Sequence, residues 1–317
     1  MSTADAARLH QNAQGIATIL ASVLTMAFAD AVVKLVSAEM TLWQVFVVRS
    51  LVAVPLLAVL LYARRIGLLP RAPGWALLRS ALLVCAWIAY YAALPVLTLS
   101  VAAVAVYTNP IITTLLSAAL IREPVGRRQW AGVLLGFLGA VTVLRPGTEA
   151  FNGYTLLPML SAVLYSVAMV LTRSRCRGET AFVLALSLHA GFLVTGLVAT
   201  VAIALLGASA ETTALAPFLL GGWGPMGARE WGLMVLTGVL AAGYFVGVAR
   251  AYQIAAPSVI ATFDYGYLVA AALWGFVLFA ERPDLPTVAG MILIGAAGVL
   301  VARPAAPRVT PATVRAA

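Results

Sequence analysis

The amino-acid sequence predicts an all-α polytopic membrane protein whose ten transmembrane helices form two inverted five-helix repeats. Three observations lead to this fold class: long apolar runs, an asymmetric distribution of arginines and an internal repeat. Of the 317 residues, 63% are hydrophobic and only 10% carry a charge, whereas soluble domains carry about 25% charged residues. The chain therefore has too little polar surface to fold as a globule in water.

Charge-free runs mark the predicted spans. Residues 80–121, 180–210 and 231–249 contain no charged side chain, and a helix needs roughly 20 apolar residues to cross the hydrocarbon layer. With breaker residues as boundaries, we predict spans at 14–36, 42–63, 74–94, 97–120, 129–145, 153–172, 181–206, 229–250, 257–280 and 285–302. The longest connection, 207–228, is expected at the membrane surface. Residues 1–13 are expected in the cytoplasm, with a disordered tail at 304–317.

The arginines predict the topology. Fourteen fall in segments that face one side of the membrane, and only Arg145, Arg229 and Arg282 fall on the other. Because basic residues stay on the cytoplasmic side, both termini are predicted to be cytoplasmic. The net charge of +9 thus reflects topology, and with no basic face or binding module we expect the lipid bilayer, and no nucleic acid, as a partner.

An internal repeat is the most specific signal. At a fixed offset of 158 residues, without a gap, Tyr107 returns as Tyr265 and Glu123 as Glu281, and at an offset of 139 Lys34 returns as Arg173. Five spans per repeat is an odd number, so the second repeat (147–303) must be inverted relative to the first (14–146). Inverted repeats let one protein adopt two states that open to opposite sides of the membrane.

Four charged side chains inside the predicted spans are candidate functional groups. Asp30 and Lys34 are spaced i, i+4 on one helix face and can pair, and Arg49 lies at a similar depth in the next span. We expect a structural or gating ion-pair cluster near the outer mouth, with direct contact to a substrate carboxylate or amine as the alternative. Asp264, whose repeat counterpart is Val106, is expected either to act in transport, by binding a substrate ammonium or taking up a proton, or to be hydrogen-bonded structurally.

Aromatic side chains cluster at matching depths. Trp87, Tyr90 and Tyr91 form one stripe of the third span, and Tyr107 precedes Asn109-Pro110, where proline frees a backbone carbonyl and can break the helix. The predicted substrate-binding residues are Trp87, Tyr91, Tyr107, Asn109, Tyr244, Asp264, Tyr265 and Tyr267. Aromatic walls with a few hydroxyls suit flat, amphipathic solutes, although ordinary helix packing is the competing explanation.

Other chemistry is limited. His189 could relay protons or bond to a neighbouring helix. The sequence contains no catalytic or metal-binding motif and no Walker A sequence. We therefore expect no enzyme activity, no cofactor and no metal, and a mechanism of facilitated diffusion, exchange or ion coupling. Glycines at 132, 136 and 139 and at 290, 295 and 298 favour close helix contact, within a monomer or, alternatively, in a dimer.

Two acidic turns carry a family resemblance. Arg122-Glu123-Pro124 and Glu281-Arg282-Pro283 each precede a glycine-rich closing helix, and this pattern resembles the ten-helix, EamA-type branch of the drug/metabolite transporter superfamily. Within that branch the chain looks like bacterial exporters of aromatic amino acids, the YddG type. The resemblance implies a bacterial inner-membrane protein in which helices 1–4 and 6–9 surround a central cavity and helices 5 and 10 lie outside. The polar and aromatic stripes further predict that helices 3, 4, 8 and 9 line the cavity.

The function predicted is export of amino acids, aromatic or other neutral ones, and related metabolites by a secondary transporter with alternating access. Other drug/metabolite substrates, such as cationic drugs or nucleotide sugars, are one alternative. A phosphorylated substrate would require several basic residues at the midplane, and the sequence offers none there. A membrane sensor that transports nothing is the alternative from a different class.

Overall fold

The computed structural model describes residues 3–144, 153–207, 210–282 and 284–302; the tail predicted at 304–317 lies outside them. Within these ranges the regular structure is α-helical, with one short 3-10 turn and no strand. The helices are α1 (Thr3–Val36), α2 (Leu42–Ala63), α3 (Pro73–Ala93), α4 (Leu99–Val106), α5 (Asn109–Leu120), α6 (Arg127–Leu144), α7 (Leu156–Ser174), α8 (Ala181–Leu206), α9 (Ala210–Leu215), α10 (Pro217–Leu220), α11 (Ala228–Ile254), α12 (Pro257–Asp264), α13 (Gly266–Phe279) and α14 (Leu285–Ala302).

Seven helical stretches of the described chain are long and apolar enough to cross a membrane. They are Gln11–Val36, Leu42–Ala63, Pro73–Ala93, Gly153–Ser174, Ala181–Leu206, Ala228–Ile254 and Pro257–Phe279. Each coincides with a span predicted from the sequence. The other three predicted spans correspond to α4 with α5, to α6 and to α14, and the count of ten stays a prediction.

Two of the predicted spans consist of two helices each. Between α4 and α5 the chain is interrupted at Tyr107 and Thr108, because Pro110 has no N–H to donate and disfavours a helical residue before it. Between α12 and α13 the chain is interrupted at Tyr265, just before Gly266. The two tyrosines related by the 158-residue offset therefore both lie where a helix breaks.

The glycine-rich helices α6 and α14 pack against each other. A Cβ atom added at Gly139 would lie 2.7 Å from the carbonyl oxygen of Gly290, and one added at Gly136 would collide with the ring of Tyr265. Close approach of the two backbones therefore requires glycine at position 139, and the Tyr265 ring requires it at position 136. The contact lies within one chain, as the monomer alternative predicts.

Ion pairs identify the two ends of the bundle. Near the end of α1, Lys34 donates to the Leu97 carbonyl and pairs with Glu281, and near the end of α7, Arg173 donates to the Gln253 carbonyl. The Pro257–Phe279 stretch separates Gln253 from Glu281, and at 1.5 Å per residue it is about 34 Å long. The clusters therefore lie at opposite ends, which we name the Lys34 end and the Arg173 end.

The long connection predicted at 207–228 contains the short helices α9 and α10 and covers the start of α2. The Gln44 side chain exchanges two hydrogen bonds of 2.9 Å with the backbone of Gly224, and the Trp43 indole donates to the Leu219 carbonyl at 2.7 Å. These bonds hold the connection against the Lys34 end.

Candidate functional site

A small cavity lies between the two halves of the chain, at the break between α4 and α5. Its volume is about 30 Å³, room for one or two water molecules. It is lined by Met26, Asp30, Trp87, Tyr90, Val106, Tyr107, Asn109, Ser161, Tyr165 and Tyr267. These residues come from α1, α3, α4, α5, α7 and α13. The expectation that helices 3, 4, 8 and 9 line the cavity is therefore wrong for helix 8, and it omitted helices 1 and 6.

Aromatic residues supply half of the cavity lining. Tyr107 stacks on Tyr267, with ring centroids 4.9 Å apart and planes at 20°, and its centroid lies 6.2 Å from that of Tyr265. Trp87 lies on the same wall, with its centroid 6.1 Å from that of Tyr165. Aromatic contacts of this kind fix the ring orientations, and Tyr107 with Tyr267 forms the flat part of the wall.

Asp30 is the buried carboxylate of this cavity. Its two oxygens accept hydrogen bonds of 2.7 Å from the hydroxyls of Tyr91 and Tyr267, and the hydroxyls of Tyr267 and Tyr90 are 2.8 Å apart. The predicted pairing of Asp30 with Lys34 is wrong, because Lys34 pairs with Glu281. The i, i+4 spacing allowed the contact, but the lysine points toward the end of the bundle while the carboxylate is buried within it.

Arg49 reaches Asp30 through a tyrosine. Its Nη1 donates to the Tyr91 hydroxyl at 3.0 Å, and that hydroxyl donates to Asp30. The guanidinium is fully buried and lies over the rings of Phe46, Tyr91 and Phe192, 5.1 to 5.7 Å from their centroids. Cation–π contacts of this kind stabilise a desolvated cation.

The remaining predicted site residues lie around this core. Asp264 is buried and accepts a 2.6 Å bond from the Tyr252 hydroxyl, a partner that the sequence did not indicate. Tyr265 stays beside Tyr107 at the helix break, and Tyr244 packs on Phe245, outside the cavity lining.

His189 lies away from the cavity lining as well. Its ring packs on those of Phe192 and Phe245, 5.9 and 5.4 Å between centroids, and is fully buried. Neither ring nitrogen has a partner of hydrogen-bond geometry in the described part of the chain. The proton relay and the bond to a neighbouring helix both stay predictions.

Two ion pairs cross between the repeats. Lys34 Nζ lies 2.9 Å from Glu281, and Arg173 Nη2 lies 3.2 Å from Glu123. The offset of 139 relates the two basic residues, and the offset of 158 relates the two acidic ones. Each pair therefore joins the first helix of one repeat to the acidic turn of the other, at opposite ends of the bundle.

Sequence reasoning missed part of this arrangement. The repeat contained the signal for the crossed pairs, because each basic position and each acidic position recurs. Arg79, a charged residue inside the third span, was also missed; it is buried and donates to the Thr172 hydroxyl at 2.6 Å. The cavity residues Met26, Ser161 and Tyr165 carry no distinguishing sequence signal.

The described helices define a class of protein, an all-α protein with several stretches long and apolar enough to cross a membrane. The model of the EamA-like transporter family matches residues 13–145 of this chain. A solved crystal structure superposes on 93% of this chain and 98% of its own, with a TM-score of 0.71 at 20% identity, and so shares the fold.

Three relatives extend the likeness along the chain. A pseudopaline exporter of Pseudomonas aeruginosa is 25% identical over 90% of this chain and 94% of its own length. A riboflavin transporter of Vibrio cholerae is 27% identical, and an S-adenosylmethionine uptake transporter of Rickettsia prowazekii 23%, each over 92% of both chains. These three likenesses extend over most of the chain, beyond the residues that the family model matches. None of these three relatives is named as an exporter of aromatic amino acids, so the narrower resemblance predicted from the sequence is not supported by them.

Proposed function

We propose that this protein is a secondary transporter that exports amino acids, aromatic or other neutral ones, and related metabolites across the bacterial cytoplasmic membrane. In this proposal ten spans form two inverted repeats, residues 14–146 and 147–303, with both termini in the cytoplasm. The protein works as a monomer by alternating access. The observation that carries the proposal is the arrangement of two ion pairs, Lys34–Glu281 and Arg173–Glu123, each of which joins one repeat to the other.

The ion pairs supply the two gates of such a cycle. In this proposal the Lys34 end faces outward and the Arg173 end faces the cytoplasm, and the arginine distribution supports that orientation. Opening outward separates Lys34 from Glu281 and keeps Arg173 on Glu123; opening inward does the reverse. Because repeat-related residues form both pairs, the two open states differ little in energy, as alternating access requires.

The cavity supplies the substrate-binding groups. The Trp87 indole nitrogen and the Asn109 side-chain oxygen are buried and find no hydrogen-bond partner among the described residues, and buried polar groups normally have one. With the flat wall of Tyr107 and Tyr267, these groups suit a planar solute with polar edges. The cavity is far below the roughly 300–1,000 Å³ of ligand pockets, so one end must open before a substrate enters.

Proteoliposomes that contain the full chain test the proposal. We expect at least one aromatic or neutral amino acid to move faster than through protein-free liposomes, with and without a pH gradient. Tyr267→Phe removes a hydrogen bond to Asp30, worth about 1.5–3 kcal/mol for a charged partner, and should slow transport about tenfold. The matched control is Tyr62→Phe, because Tyr62 is 84% exposed, and it should not change the rate.

Riboflavin and S-adenosylmethionine belong in the same panel, because relatives transport them. Movement of these solutes without any amino acid would replace the substrate class while a transporter remained. If no solute moved under any condition, the transport proposal would fail and the sensor alternative would replace it.

A further inference from the structure

One edge of the Arg49 guanidinium is buried and has no hydrogen-bond partner among the described residues. Arg49 is fully buried, yet only its Nη1 has a hydrogen-bond partner. Its Nε and Nη2 find none among the residues that the structure describes. These two nitrogens form one edge of the guanidinium, and their parallel N–H bonds match the two oxygens of a carboxylate. Leaving such donors buried without an acceptor is unfavourable.

Among the residues that the structure describes, no carboxylate accepts from this edge. Asp30 is the acidic residue close enough to interact with the charge of Arg49, but both of its oxygens already accept from Tyr91 and Tyr267. The basic and acidic groups are instead linked through the Tyr91 hydroxyl, by bonds of 3.0 and 2.7 Å. One hydroxyl group therefore separates a guanidinium from a carboxylate by less than about 6 Å.

The two groups also lie at one depth. Arg49 is the eighth residue of α2, about 10 Å from its start, and Asp30 lies six residues before the end of α1, about 9 Å from it. Both distances are measured from the Lys34 end. A solute that entered there would reach the two charges together, with the rings of Phe46 and Phe192 beside the guanidinium.

We propose that Arg49 and Asp30 form a zwitterion site. The Nε–Nη2 edge of Arg49 binds the carboxylate of an α-amino acid, and Asp30 binds its ammonium group once Tyr91 swings away. In an α-amino acid the ammonium nitrogen and the carboxylate carbon are bonded to the same carbon, so one such molecule presents both charges at one end. This inference rests on the transport function proposed above and names the chemical class of its substrate.

Ligand binding to the purified full chain tests the site without transport. Isothermal titration compares L-phenylalanine with 2-phenylethylamine, which lacks the carboxylate, and with 3-phenylpropionate, which lacks the amine. The unaltered protein should bind L-phenylalanine at least about tenfold more tightly than either analogue. Equal affinities, or no binding of L-phenylalanine, would overturn the proposal without any variant.

The variant Arg49→Lys keeps the positive charge and removes the two parallel N–H donors of the Nε–Nη2 edge. We expect it to weaken L-phenylalanine binding at least about tenfold and to leave 2-phenylethylamine binding within about threefold. Arg79→Lys is the matched control, because Arg79 is equally buried but bonds to Thr172, and it should bind all three probes normally. If Arg49→Lys weakened the binding of L-phenylalanine and of 2-phenylethylamine by the same factor, that result would count against the site.

The proposal and the transport function fail differently. If the protein transported amino acids but Arg49→Lys bound L-phenylalanine normally, the transport function would stand and the proposed binding site would not. Binding that depends on the carboxylate and on Arg49, in a protein that moves no solute of the panel, would leave the binding site and remove the transport function.

Discussion

The crossed ion pairs predict that two glutamate substitutions act in opposite directions. In the proposed cycle the contact of Glu281 with Lys34 forms when the Lys34 end is closed, and Glu281→Gln weakens it. The contact of Glu123 with Arg173 forms when the other end is closed, and Glu123→Gln weakens it. The first variant should therefore favour the state open at the Lys34 end, and the second the state open at the Arg173 end. The double variant should return close to the original balance.

The size of the shift follows from the burial of the pairs. The side chains of Lys34 and Glu281 are 15% and 20% exposed, and those of Arg173 and Glu123 are 18% and 16% exposed. Exposed pairs contribute about 0.2–1 kcal/mol, and breaking a fully buried pair costs about 3–5 kcal/mol. For these intermediate pairs we take about 1.5 kcal/mol, which changes a two-state ratio about tenfold.

Labelling of a single cysteine measures the shift. The reporter is Ser161→Cys, a conservative change in a residue that lines the cavity, in a chain whose two free cysteines, Cys85 and Cys176, are replaced by serine. A maleimide that cannot cross the membrane is added to one side at a time. From outside, Glu281→Gln should label up to about tenfold faster and Glu123→Gln more slowly, and from the cytoplasmic side the order should reverse.

Glu39→Gln provides the control, because Glu39 pairs with Arg229 where both side chains are about half exposed. It should leave labelling unchanged from either side. The reasoning is refuted if both glutamine variants change outside labelling in the same direction, or if the control changes it as much.

Three further outcomes are expected. Asp264→Asn should reduce transport driven by a pH gradient about tenfold if this carboxylate carries a proton; unchanged transport with unchanged pH dependence would remove it from the mechanism. Gly136→Ala should lower thermal stability by about 1–3 kcal/mol, because the new methyl meets the ring of Tyr265, whereas Gly295→Ala, with open space at its Cβ, should not; equal melting temperatures in detergent would contradict this. Tyr107→Leu should raise the KM for aromatic solutes about threefold to tenfold through lost stacking, and an equal rise for small aliphatic solutes would argue against the aromatic wall.

Much of the architecture was predictable from local signals. Apolar runs determine where spans lie, and Pro110 indicates one helix break because its effect is local and steric. The break at Tyr265 has no proline within it, and only the repeat relation to Tyr107 points to it. Local patterns of this kind depend on a few neighbouring residues, so a sequence alone displays them.

The side-chain partners were less predictable, because they depend on tertiary contacts. For Lys34 the nearest acidic residue on its helix is Asp30, yet its partner Glu281 is 247 residues away. Asp264 lacked a visible partner because Tyr252 precedes it by 12 residues across a helix connection. Helical spacing states which pairs can meet, and packing decides which of them do.

The symmetric and asymmetric features of the chain divide the proposed work between them. The ion pairs and the tyrosines at the helix breaks have counterparts in both repeats, whereas the charged core does not. At the 139-residue offset Arg49 corresponds to Leu188 and Asp30 to Met169, both apolar. In the proposed cycle, equivalent ion pairs give the two ends similar free energies of opening. The single pair of charged groups, Arg49 and Asp30, gives the solute one place to bind. Alternating access requires both properties, because two equivalent gates must expose one site in turn.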